Sequence, residues 1–129
     1  MRKITILAAI FLLAITASLF AQDSIKAQVS KTSLSVNDFL VYTLNAVVFG
    51  SAEPQLQLPQ FRGFVIVFGK ESTKMTFEKN QIKRIYYREV ILNPKNLGKF
   101  TIEPTYIKKE DETLSSESFE IEVTPIVNP

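Results

Sequence analysis

The stretch YYREVILNPKNLGKFTIEP, residues 86–104, indicates how this chain folds. Its first part, Tyr86–Leu92, is rich in β-branched and aromatic residues and stops shortly before Pro94. Gly98 then supplies a turn residue, and residues 99–103 alternate apolar with polar side chains. Such alternation is typical of a half-buried β-strand. The stretch therefore predicts two strands joined by a defined turn, and none of its residues indicates catalysis.

The same alternation continues along the rest of the chain. Residues 39–49 form the strongest predicted strand, with apolar side chains on both faces, so we expect it to be central and largely covered. Gly69 interrupts an apolar run at 64–68 and predicts a β-bulge, and residues 78–81 predict a polar hairpin tip. The pattern favours an all-β fold, an immunoglobulin-like β-sandwich of about seven or eight strands after an N-terminal signal helix.

The N-terminus has the layout of a secretory signal peptide. Arg2–Lys3 forms a basic start, residues 4–20 carry no charge, and Ala21 is a small residue at the expected cleavage point. Leu19 departs from the usual small residue, and a retained N-terminal anchor is the alternative, although the run is short of the about 20 residues that span a bilayer. We expect residues 1–21 to be removed and residues 22–129 to form one exported domain, in the periplasm or cell envelope.

Composition excludes several classes of function. The chain has 15 basic and 13 acidic residues, and because Arg2 and Lys3 lie in the signal segment, residues 22–129 carry 13 of each. A neutral domain gives no electrostatic reason to bind nucleic acid. The absence of Cys and His rules out a disulfide, a lipid-anchored cysteine, Ser-His or Cys-His catalysis and Cys/His zinc sites. The sequence thus indicates no catalytic, cofactor-binding or metal-binding residue, and it leaves the binding residues unknown.

An acidic cluster near the end of the chain suggests a different function. Its members are Glu110, Asp111, Glu112, Glu117, Glu120 and Glu122. Clustered carboxylates can bind calcium or act as a general acid and base, which makes a hydrolase one hypothesis. No Asp-X-Asp-X-Asp-Gly spacing supports calcium, and Glu120 and Glu122 alternate with apolar residues as an exposed strand face would. We therefore interpret the cluster as a solvated loop and strand face, and we predict that the protein is not an enzyme.

Charge is unevenly distributed along the domain. Residues 62–109 carry 11 basic and 4 acidic residues, whereas residues 110–122 carry 6 acidic residues and no basic one. We expect cross-strand pairs of Lys99 or Lys108 with the glutamates of the last strand. A basic surface that docks an acidic partner or lipid headgroups is the alternative.

Four segments, in order, carry a resemblance to a known family. Residues 33–44 (SLSVNDFLVYTL) and 59–66 (PQFRGFVI) are followed by 69–72 (GKES) and 92–104 (LNPKNLGKFTIEP). Together they resemble the BatD-type oxygen-tolerance, or aerotolerance, proteins, in which a Ser-Val-Gly-Glu turn feeds a Tyr-Thr strand. Asn37-Asp38 stands where that family has Gly-Glu.

The resemblance implies the first periplasmic domain of a BatD-like protein. Family members work beside von Willebrand-type membrane proteins and a MoxR-type ATPase, so the implied partners are envelope proteins of an aerotolerance system. Longer members continue with further β domains and a C-terminal membrane helix, and this chain is interpreted as a fragment or a short relative. Membrane contact is expected only through an uncleaved signal segment or such a helix.

The leading hypothesis is an exported, non-enzymatic protein-interaction module that uses exposed edge strands or loops. The alternative is a carbohydrate- or surface-binding adhesin-type domain, which predicts an exposed aromatic platform. No cofactor is expected in either case.

Overall fold

The structure is a computed structural model that describes residues 22–78 and 80–126. The regular elements in these residues are all β-strands. The predicted signal helix lies outside the described residues. The ten strands are β1 (Ser24–Val29), β2 (Ser33–Ser35), β3 (Leu40–Phe49), β4 (Gln55–Gln57), β5 (Phe64–Glu78), β6 (Gln81–Pro94), β7 (Gly98–Ile102), β8 (Tyr106–Lys108), β9 (Thr113–Ser115) and β10 (Phe119–Thr124). The all-β prediction is confirmed. The described residues form ten strands, whereas seven or eight were predicted. The difference arises because strands of three residues, such as β8 and β9, are too short to show alternation in the sequence.

The strands form three sheets. One has four strands in the order β1-β3-β6-β5, and the other two have three strands each, in the orders β2-β10-β7 and β4-β8-β9. Neighbouring strands are antiparallel except β2 and β10, which are parallel. The strand predicted at 39–49 is indeed central, since β3 pairs with β1 on one side and β6 on the other. No helix within the described ranges is long and apolar enough to cross a membrane.

The two smaller sheets cover one face of the four-stranded sheet. The larger core cluster joins Leu44 and Leu92 of that sheet to Ile102 and Ile121 of the β2-β10-β7 sheet. A second cluster joins Ala46, Val48 and Tyr86 to Ile107 of β8. The molecule therefore has two layers, and we call the covered face of the four-stranded sheet its inner face. The inner face of β3 is buried at every second residue, while the opposite face is only partly covered.

The chain crosses from one small sheet to the other at residues 103–105. Pro104 lies two residues after the end of β7, and because proline has no N–H to donate, it cannot extend that ladder. Thr105 is fully buried; its N–H donates to Ser116 Oγ at 2.8 Å and its carbonyl accepts from Ser116 N at 2.9 Å. These bonds start the β8–β9 hairpin, so β7 and β8 lie in different sheets.

The position of this crossing determines which of the predicted lysine–glutamate pairs lie on adjacent strands. Lys99 lies directly opposite Glu122 in the β7–β10 pair, as predicted. Lys108 lies in β8, opposite Gln55 of β4, so its predicted pairing with the last strand is wrong.

Candidate interaction surface

The strand β5 is an edge strand that almost nothing covers. It is 15 residues long, and every residue after Phe64 is exposed on both faces. Among the described residues it pairs only with β6, and it ends the four-stranded sheet. The second layer covers β3 and β6 and leaves β5 open, so its exposure follows from the unequal width of the layers.

The exposed residues of β5 include an unusual number of large apolar side chains. They are Val65, Ile66, Val67, Phe68, Met75 and Phe77. Phe77, with 72% of its surface exposed, is the most exposed large hydrophobic residue of the described chain. A long, apolar, unpaired edge strand is a template for pairing with another strand, which most proteins avoid with charges, prolines or very short edges.

The hydrogen-bonding phase shows which backbone groups of β5 face its free edge. Ile82 O accepts from Gly50 N at 3.0 Å, so even-numbered residues of β6 direct their backbone groups toward β3 and odd-numbered ones toward β5. Tyr87, for example, pairs with Ser72. Ser72 and every second residue of β5 therefore direct their backbone groups toward β6. The residues between them direct their N–H and C=O groups toward the free edge, and they are Gly69, Glu71, Thr73, Met75 and Phe77. These same residues face the inner side of the sheet, because Gly69 lies opposite Val90, whose side chain is buried there.

A β-bulge divides the strand into two parts. The register shifts between Ile66 and Phe68, so Val67 is the extra residue in the ladder. The predicted bulge at Gly69 is wrong by two residues, because Gly69 pairs regularly with Val90. Beyond the bulge, β5 runs regularly to a tight hairpin tip, where Glu78 lies opposite Gln81 and Asn80 adopts a left-handed φ of 63°. The predicted hairpin tip is thereby confirmed.

A groove of about 470 Å³ runs along the inner face of β5. Its lining includes Leu58, Phe61, Ile66, Gly69 and Val90. Phe61 is buried with φ 54°, a backbone conformation that only surrounding packing holds in place for an aromatic residue. A Cβ at Gly69 would meet nothing within 4 Å, so the missing side chain leaves this part of the groove open. The groove therefore combines an apolar wall with a strand edge, and its lining also includes the charged Lys70, Glu71, Arg88 and Glu89.

Arg88 fixes β5 against β6 beside this groove. Its guanidinium donates to Ser72 O at 3.0 Å and to Thr73 Oγ1 at 3.2 Å, and its Nε lies 3.5 Å from Glu71 Oε2. It also lies 5.5 Å from the ring centroid of Tyr86. The side chain is only 14% exposed, which distinguishes it from an ordinary surface ion pair. These contacts join the two strands of the hairpin and leave the outward backbone groups of β5 available.

A hydrogen bond also orders the outer face of the hairpin. Tyr87 O–H donates to Glu89 Oε2 at 2.9 Å. This bond to the carboxylate raises the pKa of Tyr87 above its ordinary value, because ionisation would lose the donor. Burial similarly raises the pKa of Tyr86 on the inner face. Both phenols are therefore neutral at physiological pH.

The structure separates the predicted acidic cluster. Glu110, Asp111 and Glu112 lie between β8 and β9, whereas Glu120 and Glu122 lie on β10 of a different sheet and are exposed. Glu112 Oε1 lies 3.6 Å from Lys109 Nζ, which also bonds Asp23 at 2.6 Å. The hydrogen bond to Asp23 raises the pKa of Lys109. Among the described residues no group of three or more such side chains is placed to hold a metal ion.

Comparison with known proteins identifies the family. The family model described as BatD DUF11 like domain matches residues 27–123, which is most of the chain and nearly all of its described residues. The chain therefore belongs to the BatD family, as its four ordered segments suggested. A search of curated proteins and a search of solved structures each found no significant match.

Proposed function

We propose that this protein is an exported, non-enzymatic interaction module, an immunoglobulin-like β-sandwich that accepts a strand from another envelope protein along β5. The exposed edge of β5 is the observation that carries the proposal. Addition of a strand would give partners to its outward N–H and C=O groups and cover apolar side chains on both faces. Membership of the BatD family supports this reading, since the family resemblance implies partners among envelope proteins.

The surroundings of β5 favour a partner in an extended conformation. In β-augmentation, main-chain hydrogen bonds supply affinity and pockets for alternate side chains supply specificity. The groove along Ile66, Gly69 and Val90 supplies an apolar pocket on the inner face. Lys70 and Lys74 lie on the outer face, opposite Glu89 and Ile85. A partner strand with alternating apolar and acidic residues fits both faces.

The proposed partners are the von Willebrand-type membrane proteins of an aerotolerance system. Binding of this protein to their extracytoplasmic domains, expressed from the same genome, can be measured by calorimetry. The test variant is Met75→Pro, which removes an outward N–H without interrupting the ladder with β6. Met75→Ala is the matched control, because it removes the side chain and keeps the N–H.

We expect binding by the wild type and by Met75→Ala, and at least about a tenfold loss in Met75→Pro, since an added strand needs the edge donors. Equal binding by all three proteins would show that β5 does not receive the partner. Binding to a glycan array in place of these domains would favour the adhesin alternative instead.

A further inference from the structure

The regular part of β5 has a length and a charge pattern that match a second copy of itself. Between the bulge at Val67 and the hairpin tip, the strand pairs without interruption from Phe68 to Glu78. The midpoint of this segment is Thr73, whose backbone groups face the free edge. We propose that two copies of the chain pair antiparallel along β5, with Thr73 on the two-fold axis. This inference rests on β5 being an open pairing edge, as in the proposed function, and it names a second copy as an occupant that competes with an envelope strand for that edge.

Charge and the length of the paired segment together favour this register over its two-fold neighbours. With Thr73 on the axis, Lys70 lies opposite Thr76 of the second copy, and Lys74 lies opposite Ser72. Moving the axis by one residue, to Ser72 or Lys74, places Lys70 opposite Lys74 or Lys74 opposite itself. An axis at Glu71 places two carboxylates face to face. Like charges directly opposite each other destabilise a strand pair. The Thr73 register pairs the whole segment from Phe68 to Glu78 without placing like charges opposite each other.

The same register gives the most exposed apolar side chain a binding site. It places Phe77 of one copy opposite Gly69 of the other, on the inner face of both. Gly69 has no side chain there, and the groove beside it is lined by Ile66 and Val90. An aromatic side chain opposite a strand glycine is a known stabilising pair. The two-fold axis repeats the contact, so both Phe77 rings are covered and both grooves are filled.

The resulting dimer has one continuous sheet. The strand order becomes β1-β3-β6-β5, followed by β5-β6-β3-β1 of the second copy. The axis is perpendicular to the sheet, so the inner faces of both copies lie on the same side. Neither copy then has a long apolar edge exposed.

Cysteine cross-linking tests the register directly, because the chain contains no cysteine. Opposed residues in a hydrogen-bonded antiparallel pair have Cα atoms about 5.5 Å apart, within the about 4.4–6.8 Å range of disulfides. We expect Thr73→Cys to form a covalent dimer when oxidised by glutathione disulfide, seen on a non-reducing gel. Thr76→Cys is the matched control and stays monomeric on that gel, since it faces Lys70. Equal cross-linking of both variants, or of neither, would overturn the register.

Charged substitutions of Thr73, the residue on the two-fold axis, give a second test of the dimer. We expect sedimentation velocity to show a dimer for the wild type. Thr73→Lys or Thr73→Glu alone should raise the dissociation constant of the dimer at least about tenfold, because like charges then face each other. An equal mixture of the two variants should dimerise again, which requires residue 73 to face itself. Circular dichroism confirms that both variants fold, and Phe77→Ser should weaken the dimer by a similar factor. A wild-type monomer at high micromolar concentration would overturn the proposal.

The two proposals fail in different ways. A monomeric wild type that still loses its envelope partner in Met75→Pro would remove the dimer and keep the proposed function. A dimer that binds none of the tested envelope domains would keep the dimer and remove those partners.

Discussion

Tyr42 is a residue on which both layers converge. Its ring is fully buried and meets Phe61 and Phe119 edge to face, with centroids 5.1 and 6.4 Å away. Its hydroxyl lies 2.5 Å from Thr105 Oγ1, in the segment where the chain crosses between the small sheets. A single side chain thus joins β3, the groove wall and the crossing.

Tyr42→Phe should lower the free energy of unfolding by about 1–2 kcal/mol, because the Thr105 hydroxyl loses its partner in a fully buried site. Chemical denaturation measures the change. The double variant Tyr42→Phe/Thr105→Val should recover part of the loss, since no unpaired hydroxyl remains. Additive losses in the double variant would contradict coupling between these hydroxyls.

Asp38 holds the turn before β3 through two hydrogen bonds. Its Oδ2 accepts from Lys31 Nζ at 2.7 Å, and its Oδ1 accepts from Phe39 N at 2.8 Å. The bond from Lys31, followed by the bond from Phe39, lowers the pKa of Asp38 below its ordinary 3.8. The sequence predicted a turn here from the residue types, but the contact with Lys31, seven positions earlier, depends on the folded chain.

A lowered carboxyl pKa sets the direction of a pH effect. The folded state favours the ionised form of Asp38, so its contribution to stability is present above pH 3.8 and is lost as pH falls through the lowered folded value. Proton titration by NMR should give Asp38 a pKa below 3.8, and Lys31→Met should raise that pKa. An unchanged pKa in Lys31→Met would assign the shift to the backbone bond alone.

The glycines of β5 and its approach have opposite roles. Gly63 has φ 91°, and a Cβ there would collide with the ring of Phe100. Gly69 has open space around it and pairs regularly in the strand. The sequence showed both glycines but not which one the fold requires, because Phe100 comes from a strand of the other layer.

Gly63→Ala should destabilise the protein by about 1–3 kcal/mol, from backbone strain and the clash with Phe100. Gly69→Ala is the matched variant and should change the stability by less than about 1 kcal/mol, since alanine fits a regular strand. Thermal unfolding of both variants measures the difference. Equal destabilisation would contradict the assigned roles.

Strands were easier to predict from the sequence than their pairing. Alternation located β3 and β10, and polar residues located the β5–β6 tip. The bulge was misplaced because the extra residue, Val67, is defined only by the register against β6. The identity of the open edge was also beyond the sequence, since it depends on the order of strands in the sheet and on the width of the second layer.

At the scale of the whole molecule, the fold class was predictable and the candidate surface was not. The apolar run Val65–Phe68 has the composition of a buried strand, and hydrophobic pattern alone therefore indicates a core. The structure places these residues at the edge of the sheet, with 56% of the surface of Phe68 exposed. The hydrophobic pattern therefore indicates a preference for burial, and the proposed pairing of β5 with a second strand would supply that burial.

Phe68→Lys should reduce aggregation without loss of stability. Phe68 lies on the outer face beyond the core, so lysine there adds a charge to the edge and removes little buried area. Light scattering at elevated concentration should show slower aggregation, with an unfolding temperature within a few degrees of the wild type. The matched variant Val48→Lys, in the core, should instead unfold the protein. Faster aggregation of Phe68→Lys would contradict this role of the edge.

The parallel pairing of β2 with β10 has a consequence for the order of folding. It joins Leu34 to Val123, so it closes a loop of nearly ninety residues, whereas β5 and β6 meet through a tight turn. Closing the longer loop costs more chain entropy, and we expect the hairpin to form first and the β2–β10 pair last. Pulse-labelled hydrogen exchange during refolding should protect amides of β6 before those of β10. Until that last step Leu34 and Val123 do not complete the core, so an emerging chain has its apolar edge formed while its core is still unfinished.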